Sequence, residues 1–169
     1  MKDKLDFDIA VIKLPAALTK CAKAYRQVAA RFALSAFFAN EGEASSQFEQ
    51  IGELLARSES CLMFCARLKR ALRSLPAKEA ELIRRVFAQG MSVAAVATEC
   101  GVSLSTVYRK ICLARKHFIK ALADNGVTKD WVVEEFGDLQ LTHKVVRAKY
   151  GKTTVFVPEV SAIHLKGLM

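Results

Sequence analysis

Between Ser103 and Lys116 the chain sets out side chains whose donors and acceptors match the base edges and phosphate rails of a duplex. Arg109 carries a planar guanidinium that can bond a guanine edge through two parallel N–H donors, a pairing worth ~1–3 kcal/mol of base discrimination. Leu104, Ser105 and Tyr108 share its outward face when the segment is wound as a helix, and the two hydroxyls can reach base edges or phosphates. Ser103, Thr106, Lys110, Arg115 and Lys116 flank that face as candidate phosphate contacts. Ser103 gains from the free amides of the helix it would open, which favour an anion. The chemistry is recognition rather than bond-making. The chain has no Gly-rich phosphate loop, no HExxH and no zinc-ligand spacing, and His117, His143 and His164 are scattered. The expectation is therefore no catalytic residue, no metal site and no cofactor.

A recognition face is useful only if something holds it at a steep angle to its neighbour. Ala97, Gly101 and Val107 supply the small contact residue, the turn glycine and the inner anchor that a helix-turn-helix needs. Val96 and Val102 complete the inner wall, and Ile111, Ala114 and Phe118 continue the Val107 stripe at i+4, i+7 and i+11. The motif core is Ala97, Gly101, Val107 and Ile111, with short helices expected over Ser92–Glu99 and Ser103–Ala121. Ahead of them Pro76 suits a first-turn position and opens a helix carrying Leu82, Ile83, Val86 and Phe87, which Gly90 stops.

Charge falls on the same stretch. Between Ala66 and Lys120 twelve cations face three acids, a local +9 that equals the net charge of all 169 residues, because both flanking segments balance. Lys and Arg grouped on a groove-reading motif release the counterions condensed on a duplex, so double-stranded DNA is the expected partner. Arg84 and Arg85 are expected to brace the DNA backbone or a partner protein. An ordinary bundle with a solvated cationic face would need motif order and charge placement to coincide by accident.

The remaining segments read as scaffold. Leu5, Phe7, Ile9 and Val11 alternate with other residues and predict a short strand ended by Pro15. Apolar spacing predicts a helix from Ala16 to about Phe38, a break at Asn40-Glu41-Gly42, and a second helix from about Ala44 to Leu72 capped by Ser45 or Ser46. The second helix is expected to gather Phe48, Ile51, Leu55, Leu62, Cys65, Leu68 and Leu72 on one side. Two such helices fold into a hairpin, as scaffold or oligomer interface. After Asn125-Gly126, Thr128 can cap a short helix bearing Trp131, Val132 and Phe136; strands on either side of Gly151-Lys152 predict a hairpin that the N-terminal strand could extend, and Val160–Leu168 a closing helix.

The fold expected is mainly α, with an N-terminal helical hairpin, a helix-turn-helix bundle and a small C-terminal β-hairpin element. Its divisions are 1–72 (scaffold or oligomerisation), 73–123 (DNA binding) and 124–169. A homo-oligomer would form through residues 16–72 or the C-terminal hairpin. Hydrophobic residues make up 52 % of the chain, enough for a core. No apolar run nears the ~20 residues that cross a bilayer, and the N-terminus lacks a secretory apolar core, so a cytoplasmic protein without membrane contact is expected. Five cysteines with no CxxC pair read as small buried hydrophobes in a reducing compartment.

Leu75-Pro76-x-x-Glu79, Leu82-Ile83, Val86-Phe87, Gly90-Met91-Ser92, Val96-Ala97, Cys100-Gly101-Val102-Ser103, Thr106-Val107, Ile111 and Ala114-Arg115-Lys116-x-Phe118 together resemble the fourth conserved region of bacterial RNA polymerase sigma factors, over residues 72–122. The resemblance implies a recognition helix that reads a promoter element and a surface that docks on the polymerase core. Ala94 and Ala95 stand where the family commonly has acids, and Leu104 where it often has a polar or basic residue. The N-terminal helices lack the aromatic-rich melting segment of a sigma factor's second region, which implies a sigma-like regulator or half of a split factor. A weaker resemblance, carried by Gly126-Val127-Thr128, Lys144–Ala148, Val155-x-Val157-Pro158 and His164-Leu165-Lys166, is to tails of phage DNA-binding proteins, small terminase subunits among them. It implies the alternative of a DNA-packaging role.

Overall fold

The computed structural model describes residues 3–136, 141–148 and 151–158, with backbone alone for residues 3–6, 9 and both strands. The described chain is mainly helical, in the order α1 (Asp3–Ala36), α2 (Glu41–Arg73), α3 (Ala77–Ile83), a π-helical turn Arg84–Ala88, α4 (Val93–Cys100), α5 (Leu104–Asp124) and α6 (Lys129–Phe136). Strands β1 (Leu141–Ala148) and β2 (Gly151–Pro158) then pair antiparallel, Leu141 opposite Pro158 and Ala148 opposite Gly151. Gly151 and Lys152 therefore belong to β2 rather than to the turn. The closing helix expected over 160–168 lies outside the described residues.

The chain divides into two compact units, one of Met1–Leu14 with Arg67–Met169 and one of Pro15–Ala66. The N-terminal strand is a correction: α1 begins at Asp3 and runs through Pro15. The alternation at Leu5–Val11 overlaps a helical stripe, because buried Val11, Leu14, Leu18, Cys21, Tyr25 and Ala29 follow one another at three- or four-residue steps. Pro15 removes one backbone donor, and its own carbonyl accepts from Thr19 Oγ1 at 2.7 Å. Being helical, the N-terminal segment is not a third strand for the hairpin.

In the Pro15–Ala66 unit, α1 and α2 run antiparallel. Gln47 donates to the Ser35 hydroxyl at 3.3 Å, buried Ser58 donates to the Ala22 carbonyl at 3.1 Å, and Thr19 lies 4.0 Å from the Cys65 sulfur. The cap of α2 is Asn40, whose Oδ1 accepts from the Glu43 amide at 3.0 Å, not Ser45 or Ser46. The side turned inward carries Leu54, Ser58, Cys61 and Phe64. Phe48, Leu55 and Leu62, expected on the buried side, are exposed.

In the other unit, α6 starts where Thr128 accepts from the Trp131 amide at 3.2 Å. The end of α2 holds it, since Arg67 donates to the Gly126 carbonyl at 3.0 Å and stacks 4.5 Å over the Trp131 ring. Gly126 needs its left-handed φ of 72° there to end α5.

Candidate nucleic-acid interface

Three local devices build the motif. Ser92 caps α4, its hydroxyl accepting from the Ala95 amide at 3.1 Å, and Ser103 caps α5 through the Thr106 amide at 3.3 Å. Between them Gly101 sits at φ 63°, where the amides of Gly101 and Val102 bond back to Thr98 and Ala97. An added Cβ at Gly101 meets no atom within 4 Å, so Gly101→Ala carries only the conformational cost of a left-handed alanine. Denaturant titration should show a loss of ~1–2 kcal/mol, and an undiminished midpoint would contradict this turn.

Val96, Ala97, Val107 and Ile111 form one buried cluster, with Leu82, Val86, Phe87, Met91, Val93 and Val102 packed against it. Thus α3 and the π turn supply the floor on which α4 and α5 cross. The inner stripe of α5 continues through Ala114, Phe118, Ala121 and Leu122, all buried. Each large side chain so buried contributes ~1.5–3 kcal/mol, which fixes the opposite face outward.

That opposite face is open. Leu104 is 47 % and Tyr108 52 % exposed, and Ser103, Ser105, Arg109, Lys110 and Lys116 are exposed with them. Thr106 is half-buried, its hydroxyl 2.8 Å from that of Ser103. Leu113 and Ile119, also exposed on α5, were not singled out by the sequence pattern.

The acids of the basic stretch are turned to other work. Glu81 accepts from Arg84 at 3.1 Å and Arg85 at 2.9 Å; Arg85 also reaches Glu99 at 3.0 Å, tying the π turn to α4. The Arg85 bond holds the Glu81 carboxyl below the usual carboxylate value. Arg84 and Arg85 thus brace the π turn through surface ion pairs, Arg84 with 49 % of its side chain exposed. Glu79 lies 2.7 Å from His117 Nδ1. On α5 no acid precedes Asp124, and Arg109, Lys110, Lys116 and Lys120 have no side-chain partner among the described residues.

Arg115 differs from its neighbours. Its Nε and Nη2 donate to Asp8 Oδ2 and Oδ1, both at 2.7 Å, and its guanidinium lies 5.3 Å from the Phe87 ring centre. Side-chain exposure is 15 % for Arg115 and 2 % for Asp8. A residue expected among the phosphate contacts is thus clamped by an acid that sequence reasoning did not select. The available signal was an aspartate inside the apolar run Phe7–Ile12, since a buried charge calls for a partner.

Among the described residues no group of three or more His, Cys, Asp and Glu could hold a metal, and no helix is long and apolar enough to cross a membrane. Cys21 and Cys61 are buried, Cys65 half-buried, Cys100 and Cys112 exposed. Burial pushes the Cys21 and Cys65 thiols up, away from the reactive thiolate.

Residues 65–118, about a third of the chain, match the family model for sigma-70, region 4. That is a DNA-binding family, and the match falls on the same elements that build the open face of α5. No curated protein and no solved structure matches the chain.

Proposed function

From a chain whose residues 65–118 match sigma-70 region 4, we propose a sigma-like transcription regulator that binds double-stranded DNA sequence-specifically and contacts RNA polymerase core. The observation that carries this reading is the outward face of α5, exposed, free of acids before Asp124 and furnished with unpaired cations. A duplex groove is the surface that such a face complements.

In this reading Arg109 bonds a guanine edge, Ser105 and Tyr108 choose among edges they can reach, and Leu104 makes an apolar contact such as one to a thymine methyl. Lys110, Lys116, Thr106 and the α5 N-terminus with Ser103 hold phosphates. Arg115 acts through Asp8, by setting the pose of α5. Residues 73–123 bind DNA, while the Pro15–Ala66 unit meets protein. A protein so employed works in the cytoplasm, on the nucleoid.

Lys116→Ala separates phosphate neutralisation from base reading. Anisotropy titrations of a labelled duplex across a range of salt should show weaker binding to every sequence and a salt slope smaller by about one ion. An unchanged slope counts against the assigned face. Capture of purified core polymerase by the full chain tests the second partner, and failure to retain it removes the polymerase from the proposal while leaving the DNA face standing.

A further inference from the structure

Along α2 the exposed apolar residues Phe48, Leu55 and Leu62 stand at i, i+7 and i+14, with exposures of 62 %, 47 % and 38 %. This is not the stripe that packs on α1, which runs through Leu54, Ser58, Cys61 and Phe64. The α1–α2 hairpin therefore has a second apolar line, one exposed residue every two turns of α2, on the side away from α1. Phe37 and Phe38, 84 % and 85 % exposed, extend the apolar surface at the α1–α2 connection.

The charge pattern of α2 selects the occupant. Four of its five acids, Glu41, Glu43, Glu49 and Glu53, precede Leu55 with Glu59 beyond it, and all its cations follow Leu55, as Arg57, Arg67, Lys69, Arg70 and Arg73. Two copies side by side in the same direction would set acid against acid and cation against cation. Two copies running oppositely about a two-fold at Leu55 set Phe48 against Leu62 and Glu41 against Lys69, while Glu53 and Arg57 pair with each other within each helix. Self-complementarity of this kind is what an isologous two-fold contact requires. We propose that the protein is a homodimer joined by antiparallel pairing of α2 through Phe48, Leu55 and Leu62. Two DNA-binding units in one particle would read two half-sites, but the pairing itself stands whether or not α5 binds DNA.

Sedimentation of the full chain at micromolar concentration tests it. The wild-type mass should be that of two chains. Leu55→Glu puts two glutamates face to face at the two-fold and should raise the dissociation constant at least tenfold, with the helical circular dichroism signal retained because Leu55 is exposed. The pairing direction is read from a charge exchange. Glu41→Lys/Glu43→Lys and Lys69→Glu/Arg70→Glu chains should each dimerise poorly alone and recover when mixed. A monomeric wild type, a mass that Leu55→Glu leaves unchanged, or charge variants that dimerise alone like the wild type overturn the proposal.

Discussion

Asp8→Ala is expected to lower the unfolding free energy by ~3–5 kcal/mol, because removing one partner of a buried ion pair leaves the other charge without compensation. Arg115 keeps 15 % of its side chain in water, which places the expected loss toward the lower end. Trp131 is the chain's single tryptophan and lies in the same unit, stacked on Arg67, so its fluorescence reports this transition. The double replacement Asp8→Leu/Arg115→Met should recover much of the loss, since apolar residues of similar size remove the desolvation cost of both charges. DNA binding distinguishes two roles for the pair. If Asp8 positions α5, Asp8→Ala weakens binding; if it shields Arg115 as a phosphate mimic, the same change strengthens binding and steepens the salt slope by about one ion. The burial of Ala10, Val11 and Leu14 around Asp8 makes this segment part of the unit's core, which favours positioning.

Arg109→Ala has the second large effect, and it falls on specificity. Loss of a bidentate guanine contact should cost ~1–3 kcal/mol on the preferred duplex, or roughly 5- to 150-fold in affinity, and far less on duplexes that differ at that base pair. Competition between the preferred duplex and its single-base variants measures this directly. The expected profile loses its preference at one position and retains it elsewhere. A uniform weakening across all variants would assign Arg109 to a phosphate instead. Stability should stay unchanged, because the side chain is exposed and pairs with no described residue.

The helix-turn-helix was legible because its signals are local. Ser92, Gly101 and Ser103 are cap and turn residues whose effect is set by the backbone within four positions, and the Val107–Phe118 stripe has a clean helical period. The N-terminus failed for a related reason. Leu5, Phe7, Ile9 and Val11 satisfy a period of two over a short window, and only the longer run through Tyr25 reveals the helical period; Pro15 reads as a stop, yet α1 continues through it and Thr19 bonds its carbonyl. On α2 two apolar stripes lie side by side, and periodicity alone merges them, placing Phe48, Leu55 and Leu62 on a buried side they do not share. Asp8–Arg115 joins residues 107 positions apart, a separation that no local pattern encodes. The same holds for Arg85, whose partner Glu99 comes from the next helix.

Selection of duplexes from a random pool by the full wild-type chain at physiological salt tests the central claim most directly. The account predicts enrichment of one short consensus, bound ~10³-fold or more tighter than unselected duplex, with Arg109→Ala losing one of its positions. A pool that remains random after repeated rounds, or enrichment that Arg109→Ala leaves intact, would contradict base reading by the outward face of α5.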